Sequence, residues 1–287
     1  METSDSSSRY DYGILNATTR SQHQKHLFWS CVFFAQIFGL GTFIFVLIWT
    51  GLYDHAAEHN FTKGKTTVVE GGFEKFPSFD YHPLFMTIGA VYLVGQAVIV
   101  HRVLSSFVTS RLLKRAIHAV ILTLAAVAIA FGLYAIIAQR IPFGSIHDFL
   151  GVTTISLFVF QCTIGFIAKC FPGCEPEISR WYHPVHNFFG AFTFATAVTT
   201  ALTGMTMAAR NDFGTAGNLC RLYVLCLIPF ALFVLLLVAN CDFRNVNGPS
   251  NADRKPSVNG AQAHGGTNEE QEPLNSTATQ PKSYEAC

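Results

Sequence analysis

The sequence predicts an all-α membrane protein with six transmembrane helices. Three observations carry that prediction. Half of the 287 residues are apolar and only 13% are charged, where a water-soluble chain has about a quarter of its residues charged. Six apolar stretches approach or exceed the roughly 20 residues that a helix needs to cross the hydrocarbon core. Lys and Arg gather at alternate ends of those stretches, the bias that orients helical membrane proteins.

Residues 1–26 are polar and form an N-terminal segment without the apolar core of a cleavable leader, since the first apolar run starts near Leu27. The spans fall at 27–52, 83–100, 116–138, 146–168, 187–209 and 220–240, and residues 27–240 form one six-span domain. Connections are short apart from residues 53–81, which are polar with a Gly-rich stretch. The tail, 241–287, turns to Asn, Pro, Gly, Gln and Glu, and is expected to stay disordered because it cannot bury enough apolar surface to fold. A net charge of +1 gives no reason to expect a nucleic acid partner. The partner that the composition demands is the lipid bilayer.

Thirteen Lys and Arg residues lie in the N-terminal segment, the loops after spans two and four, and the tail, against six on the other side. That excess places both termini in the cytoplasm. It also exposes the sequon Asn60-Phe61-Thr62 to the lumen or exterior, and keeps the sequons at Asn16 and Asn275 in the cytoplasm.

Ionisable side chains inside membrane spans are rare and mark function by default. Four of the eleven histidines stand at span ends in a regular pattern. His82 and His147 open spans two and four at the non-cytoplasmic face. His118 and His186 lie near the starts of spans three and five at the cytoplasmic face. Four central helices thus supply one pair at each face, and two imidazoles from neighbouring helices are what a haem iron takes as axial ligands. The expected architecture is therefore a central four-helix bundle binding two haems, with an electron path from face to face. Gly151, Gly165, Gly190, Phe188 and Phe189 would let a flat ring approach the helices. A histidine at a helix end can instead bond a backbone carbonyl or a lipid headgroup, which suits each of the four alone better than it suits two facing pairs. His101 and His183, at cytoplasmic helix ends, fit either reading.

The cysteines add no metal centre. Cys31, Cys162 and Cys226 lie in apolar runs, where a thiol acts as a small hydrophobe. Cys170 and Cys174 form a C-x3-C that no second pair completes into a zinc site. No C-x-x-C-H occurs, so haem here would be held by coordination and packing. Beside the inner histidine pair, Arg102, Arg111, Lys114 and Arg115 form a basic cluster. It has two readings: orientation of the chain alone, or an anion site for haem propionates and an anionic electron donor such as ascorbate.

These residues resemble the cytochrome b-561 family of transmembrane ascorbate-dependent oxidoreductases, from about Trp29 to Asn240. The resemblance rests on His82-Pro-Leu-Phe-Met, Val100-His-Arg102-Val, Lys114-Arg-Ala-Ile-His118, Ser145-Ile-His147-Asp-Phe and His183-Pro-Val-His186-Asn-Phe-Phe-Gly190. It implies two b-type haems per chain, the non-cytoplasmic one on His82 and His147 and the cytoplasmic one on His118 and His186. Arg102, Arg111 and Arg115 match family positions that contact propionates or cytoplasmic ascorbate. The family's arginine seven residues before the last haem ligand falls on Ser179, one step from Arg180, which is taken as a substrate contact with Arg111 and Arg115. A glutamate common near the end of span five falls on Met207, and the loop between spans three and four is short, with Arg140 its only charged residue. Family members work in plasma, endosomal or secretory-vesicle membranes and are often homodimers.

The resulting expectation is electron transfer from cytoplasmic ascorbate through two haems to ferric iron or monodehydroascorbate on the far side. The rival is a transporter in which the histidines relay protons or bind a metal ion. Acid–histidine chains inside the spans would favour it, yet Asp148 is the only acidic residue beside a key histidine. The orientation has its own test. Glycosidase treatment of the cell-expressed protein should sharpen its gel mobility, and Asn60→Gln should abolish that shift; a shift that persists in the variant reverses the topology.

Overall fold

The computed structural model describes residues 3–61, 81–138, 143–170, 176–210 and 214–240. Helix α1 runs Thr3–Phe61, α2 Tyr81–Met86, α3 Val94–Leu104, α4 Arg111–Ala138, α5 Ile146–Cys170, α6 Pro176–Ala209 and α7 Thr215–Ala239, with a π-helical segment, Thr87–Leu93, joining α2 to α3. Six segments are long and apolar enough to cross a membrane: Gln22–Gly51, Tyr81–Leu104, Arg111–Ile137, Ile146–Ala168, Trp181–Ala209 and Thr215–Ala239. The chain is an all-helical, multi-pass integral membrane protein, with spans close to those expected. The main difference is at the first span, where the helix continues well beyond the apolar stretch in both directions. No proline interrupts Thr3–Phe61, so nothing in the chain breaks the backbone ladder there.

The middle four spans form a bundle whose neighbours can be followed in order. Span two (α2, the π segment and α3) packs on α4 and on α6, and α6 packs on α5. Helices α4 and α5, consecutive in the chain, make almost no direct contact among the described residues. Helix α7 covers α6, and α1 packs most extensively against α7. The bundle is thus closed on three sides and leaves a seam between α4 and α5.

The π segment lies where span two passes closest to α4. A Cβ built on Gly89 would stand 2.8 Å from the Ala125 carbonyl oxygen and 2.9 Å from the Ile129 side chain, so only glycine permits this approach. At the start of the segment the fully buried Tyr223 of α7 and Thr87 join hydroxyls at 2.9 Å. A π turn in an α-helix commonly sits beside a functional site, and here it begins five residues after His82.

Most remaining polar side chains inside the spans are satisfied locally. Thr50, Thr123, Thr153, Thr163, Thr193 and Thr199 each donate to the carbonyl four residues earlier. Between α1 and α3, Gln36 and Gln96 exchange amide bonds at 3.0 and 3.2 Å, and the Tyr92 hydroxyl donates to Gln36 Oε1 at 3.3 Å. This reciprocal pair fixes the register of span one against span two, because either amide alone would be left unpaired in lipid. Gln36→Leu should lower the unfolding free energy by about 1 kcal/mol. The double variant Gln36→Leu/Gln96→Leu should recover part of that loss. Thermal unfolding in detergent measures both; a double variant no more stable than the single one would show that the pair is not the source.

Candidate functional site

The four span-end histidines meet as two pairs. His82 and His147 have ring centroids 6.1 Å apart with planes at 84°, and His118 and His186 are 6.4 Å apart at 75°. An imidazole nitrogen binds a transition metal at about 2.0–2.1 Å and lies about 1.1 Å from its ring centre. Two imidazoles on opposite sides of one metal ion therefore have centres about 6.3 Å apart. Both pairs have that spacing. Each joins diagonally opposed helices of the bundle, span two to α5 and α4 to α6, so the space between the rings lies on the bundle axis.

What orients the rings is the same in three of the four. Nδ1 of His82 lies 2.9 Å from the Gly132 carbonyl of α4, Nδ1 of His118 lies 2.9 Å from the Ala97 carbonyl of α3, and Nδ1 of His147 lies 2.9 Å from the Thr200 carbonyl of α6. A carbonyl can only accept, so each Nδ1 carries the hydrogen and donates it, and the lone pair resides on Nε2. This is the tautomer of a metal-binding histidine whose other nitrogen is held by a hydrogen bond. His186 differs in having the Tyr182 hydroxyl 3.2 Å from its Nδ1.

The helix starts and neighbouring glycines complete the geometry. Ser145 and Asp148 form a capping box at the head of α5: the Asp148 N–H donates to Ser145 Oγ at 3.2 Å, while Ser145 N–H donates to Asp148 Oδ2 at 2.7 Å. His147 is thereby fixed in the first turn. A Cβ on Gly204 would lie 2.7 Å from His147 Cε1, and one on Gly165 would lie 3.1 Å from His186 Cε1. Each α5 or α6 histidine is thus seated on a glycine of the other helix. Gly165 was expected from the sequence; Gly204 was not, and nothing in its immediate sequence distinguishes it. Gly151 is in ordinary contact with Thr200, and a Cβ on Gly190 would meet nothing within 4 Å. Phe188 faces away from the bundle, 66% exposed and stacked on Phe192, which corrects the expectation that it packs on the pair.

Eighteen residues of α5 separate the levels of His147 and Gly165, about 27 Å of helix. With a hydrocarbon core about 30 Å thick, the pairs stand near opposite faces. His101 lies at the inner one, its ring centroid 4.9 Å from that of His118. His183 is exposed, 3.3 Å from the Asn187 amide.

Among the basic residues, Arg102 holds the end of α7. Its guanidinium donates to the carbonyls of Leu237 at 2.5 Å, Val238 at 2.7 Å and Asn240 at 2.9 Å, the placement that satisfies orphan carbonyls and complements the helix dipole. The sequence did not suggest this role. Arg111 and Arg115 are exposed in the first turns of α4, with Lys114 half-buried between them. The first turn of α4 contains no acidic residue, so positive side chains crowd the positive end of a helix. The side chains of Ser179, Arg180, Cys170 and Asn60, all of Arg140 and Cys174, and the tail lie outside the described residues. Met207 is 54% exposed on α6. Among the described residues no three His, Cys, Asp or Glu side chains converge as a site for a bare metal ion.

Comparison with known proteins gives the family. The family profile for eukaryotic cytochrome b561 matches residues 81–210, the four spans that carry the histidines. The transmembrane ascorbate-dependent reductase CYB561 of Ovis aries is 30% identical over 227 residues, covering 74% of this chain and 83% of that protein. The Homo sapiens protein of the same name is 30% identical over 240 residues, 78% and 86% of the two chains. The ascorbate-specific transmembrane electron transporter 1 of Zea mays is 32% identical over 168 residues, 55% of this chain and 71% of that one. The chain belongs to the cytochrome b561 family.

Proposed function

We propose that the protein transfers electrons across its membrane from cytoplasmic ascorbate, through two b-type haems, to ferric iron or monodehydroascorbate on the other side. The observation that carries this reading is the pair of bis-imidazole gaps, 6.1 and 6.4 Å between ring centres, with Nδ1 of three rings bound to backbone carbonyls. The residues fit the group: two ligands per iron, glycines against the imidazoles, and a seam between α4 and α5 for a planar ring. His82 and His147 hold the outer haem, and His118 and His186 the inner one. Held by these histidines, haem would supply a one-electron carrier on each side of the membrane.

The chain's own contribution is to hold these groups still. A fixed imidazole on a fixed helix has little to reorganise when the charge of the centre changes, and the apolar bundle keeps water from the path. On the cytoplasmic side Arg111, Lys114 and Arg115 attract ascorbate, a monoanion at neutral pH, to the mouth of the inner pair. Arg180 is proposed from the sequence as a further ascorbate contact. Positive side chains at the N-terminus of α4 oppose the helix dipole, and an anion bound among them offsets that cost. Arg102, expected from the resemblance to contact a propionate, also donates to the carbonyls of Leu237, Val238 and Asn240. A proton or metal transporter is less well supported, because Asp148 spends Oδ2 on the N–H groups of Gly144 and Ser145. No acid–histidine chain enters the spans from it. Both termini are placed in the cytoplasm, by the distribution of Lys and Arg.

The reading is tested on the purified full-length protein by the dithionite-reduced minus oxidised spectrum and a haem count. About two haems per chain are expected, with a b-type α-band. His118→Ala and His186→Ala should each lose the inner haem and retain the outer; retention of both haems in either variant overturns the pairing. A separate measurement addresses the basic rim. Arg115→Ala should raise the ascorbate concentration for half-reduction several-fold, in line with about 1 kcal/mol for one exposed charge contact. An unchanged titration returns the cluster to a purely topological role.

A further inference from the structure

The face of α5 that turns into the protein carries His147, Thr154, Phe158, Gln161 and Gly165, at helical spacing. Four of them have evident partners. His147 is bonded to α6, Thr154 lies 3.2 Å from the Thr200 hydroxyl, Phe158 is in the apolar core, and Gly165 receives His186. Gln161 is different. It is 6% exposed, in the membrane interior, and its Oε1 has no hydrogen-bond partner. A buried carbonyl left without a donor keeps its full desolvation cost, and no bulk water reaches it in the bilayer core. A leucine would fill the same place without that cost.

A second observation lies across the interface. His147 faces Gly204 and Gly165 faces His186, which sets the antiparallel register of α5 and α6 and puts Gln161 level with Gly190. A Cβ on Gly190 would meet nothing within 4 Å. An amide oxygen without a hydrogen-bond partner and open space beside Gly190 therefore occur at one level of the bundle. That level is four residues, about 6 Å, from Gly165 and its His186 ring, and fourteen residues, about 21 Å, from His147.

We infer that Gln161 sets the reduction potential of the inner haem, its amide carbonyl facing the group held by His118 and His186. The inference rests on the two-haem reading above. A haem iron carries one more positive charge oxidised than reduced. The negative end of an amide dipole in a low-dielectric interior therefore favours the oxidised state and holds the potential down. A lower potential at the inner centre directs an electron outward.

The test is a redox titration of the α-band in purified full-length protein, comparing wild type with Gln161→Leu and Gln161→Met, with haem counted in each. Removing a buried carbonyl that lacks a donor relieves its desolvation cost, so both variants should fold. His186→Ala identifies the outer component of the titration. At a fixed potential near the inner midpoint, the inner ratio of reduced to oxidised haem should rise about threefold to tenfold in both variants, tenfold corresponding to about 59 mV for a one-electron couple. The outer component should not move. Two haems with an inner midpoint that is unchanged or lowered, or a shift in the outer component alone, overturns the assignment while leaving the two-haem reading intact. Loss of the inner haem from both variants overturns it as well, since Gln161 would then retain the group instead of tuning it. A wild-type protein without haem overturns the two-haem reading, and this inference with it.

Discussion

The site depends on a hydrogen bond from histidine Nδ1 to a helix carbonyl of a neighbouring span. In lipid a ring N–H cannot turn to water, so it must find an acceptor within the protein. A helix carbonyl already accepts the N–H four residues on, but it has a second lone pair. Gly132, Ala97 and Thr200 offer that lone pair to His82, His118 and His147. One bond thereby does three things. It satisfies a buried donor, ties each span to the one beside it, and leaves the basic nitrogen as the one that can bind a metal. The bland role for a histidine at a helix end, bonding a carbonyl, and the proposed role, holding haem iron, use different nitrogens of the same ring and are compatible.

The bundle is built around this requirement. Because the Nδ1 bonds run to adjacent helices, the two rings of a pair face each other across the diagonal. Diagonal helices cannot close the gap by packing directly, which holds the ring centres at 6.1 and 6.4 Å. The contact that the bundle forgoes is the one between α4 and α5. An open seam between apolar helices forfeits dispersion contacts, so a bundle with such a seam is completed by what fills it. Elsewhere the packing is tight: Gly89 lets span two approach the α4 backbone, and Tyr223 and Thr87 fix the π segment from α7.

Much of this was legible in the sequence, and the part that was not has a common cause. Span positions follow from runs of apolar residues, and capping at Ser145–Asp148 is a local pattern. The histidine pairs could be read because each lies at a span end and topology decides which face it reaches. Gly204, Thr200 and Ala97 could not be read, since their roles depend on the register between helices that only packing fixes. The same holds for Arg102, whose partners are 135 to 138 residues away on α7. In sequence it stands with the cytoplasmic cations; in space it closes a helix. Phe188 erred in the opposite sense: two residues after His186 in sequence, it points outward, because helix positions two apart are about 200° around the axis.

The two pairs are alike in ring spacing and unlike in surroundings, and on the proposed two-haem reading that difference would give a direction to electron flow. His118 follows His82 by 36 residues and His186 follows His147 by 39, so the second helical hairpin places its histidines much as the first does. Two identical sites would have equal potentials and no preferred direction. The outer pair lies among the hydroxyls of Thr200 and Thr203 and the α5 capping box. The inner pair has a third imidazole at 4.9 Å, the Tyr182 hydroxyl on one ring and the basic start of α4 beside it. A basic rim raises the potential of a nearby iron centre, while also collecting an anionic donor. A buried carbonyl dipole on the membrane side lowers it. On the proposed reading Gln161 would offset the basic rim, whose charges gather the donor but would also hold the electron.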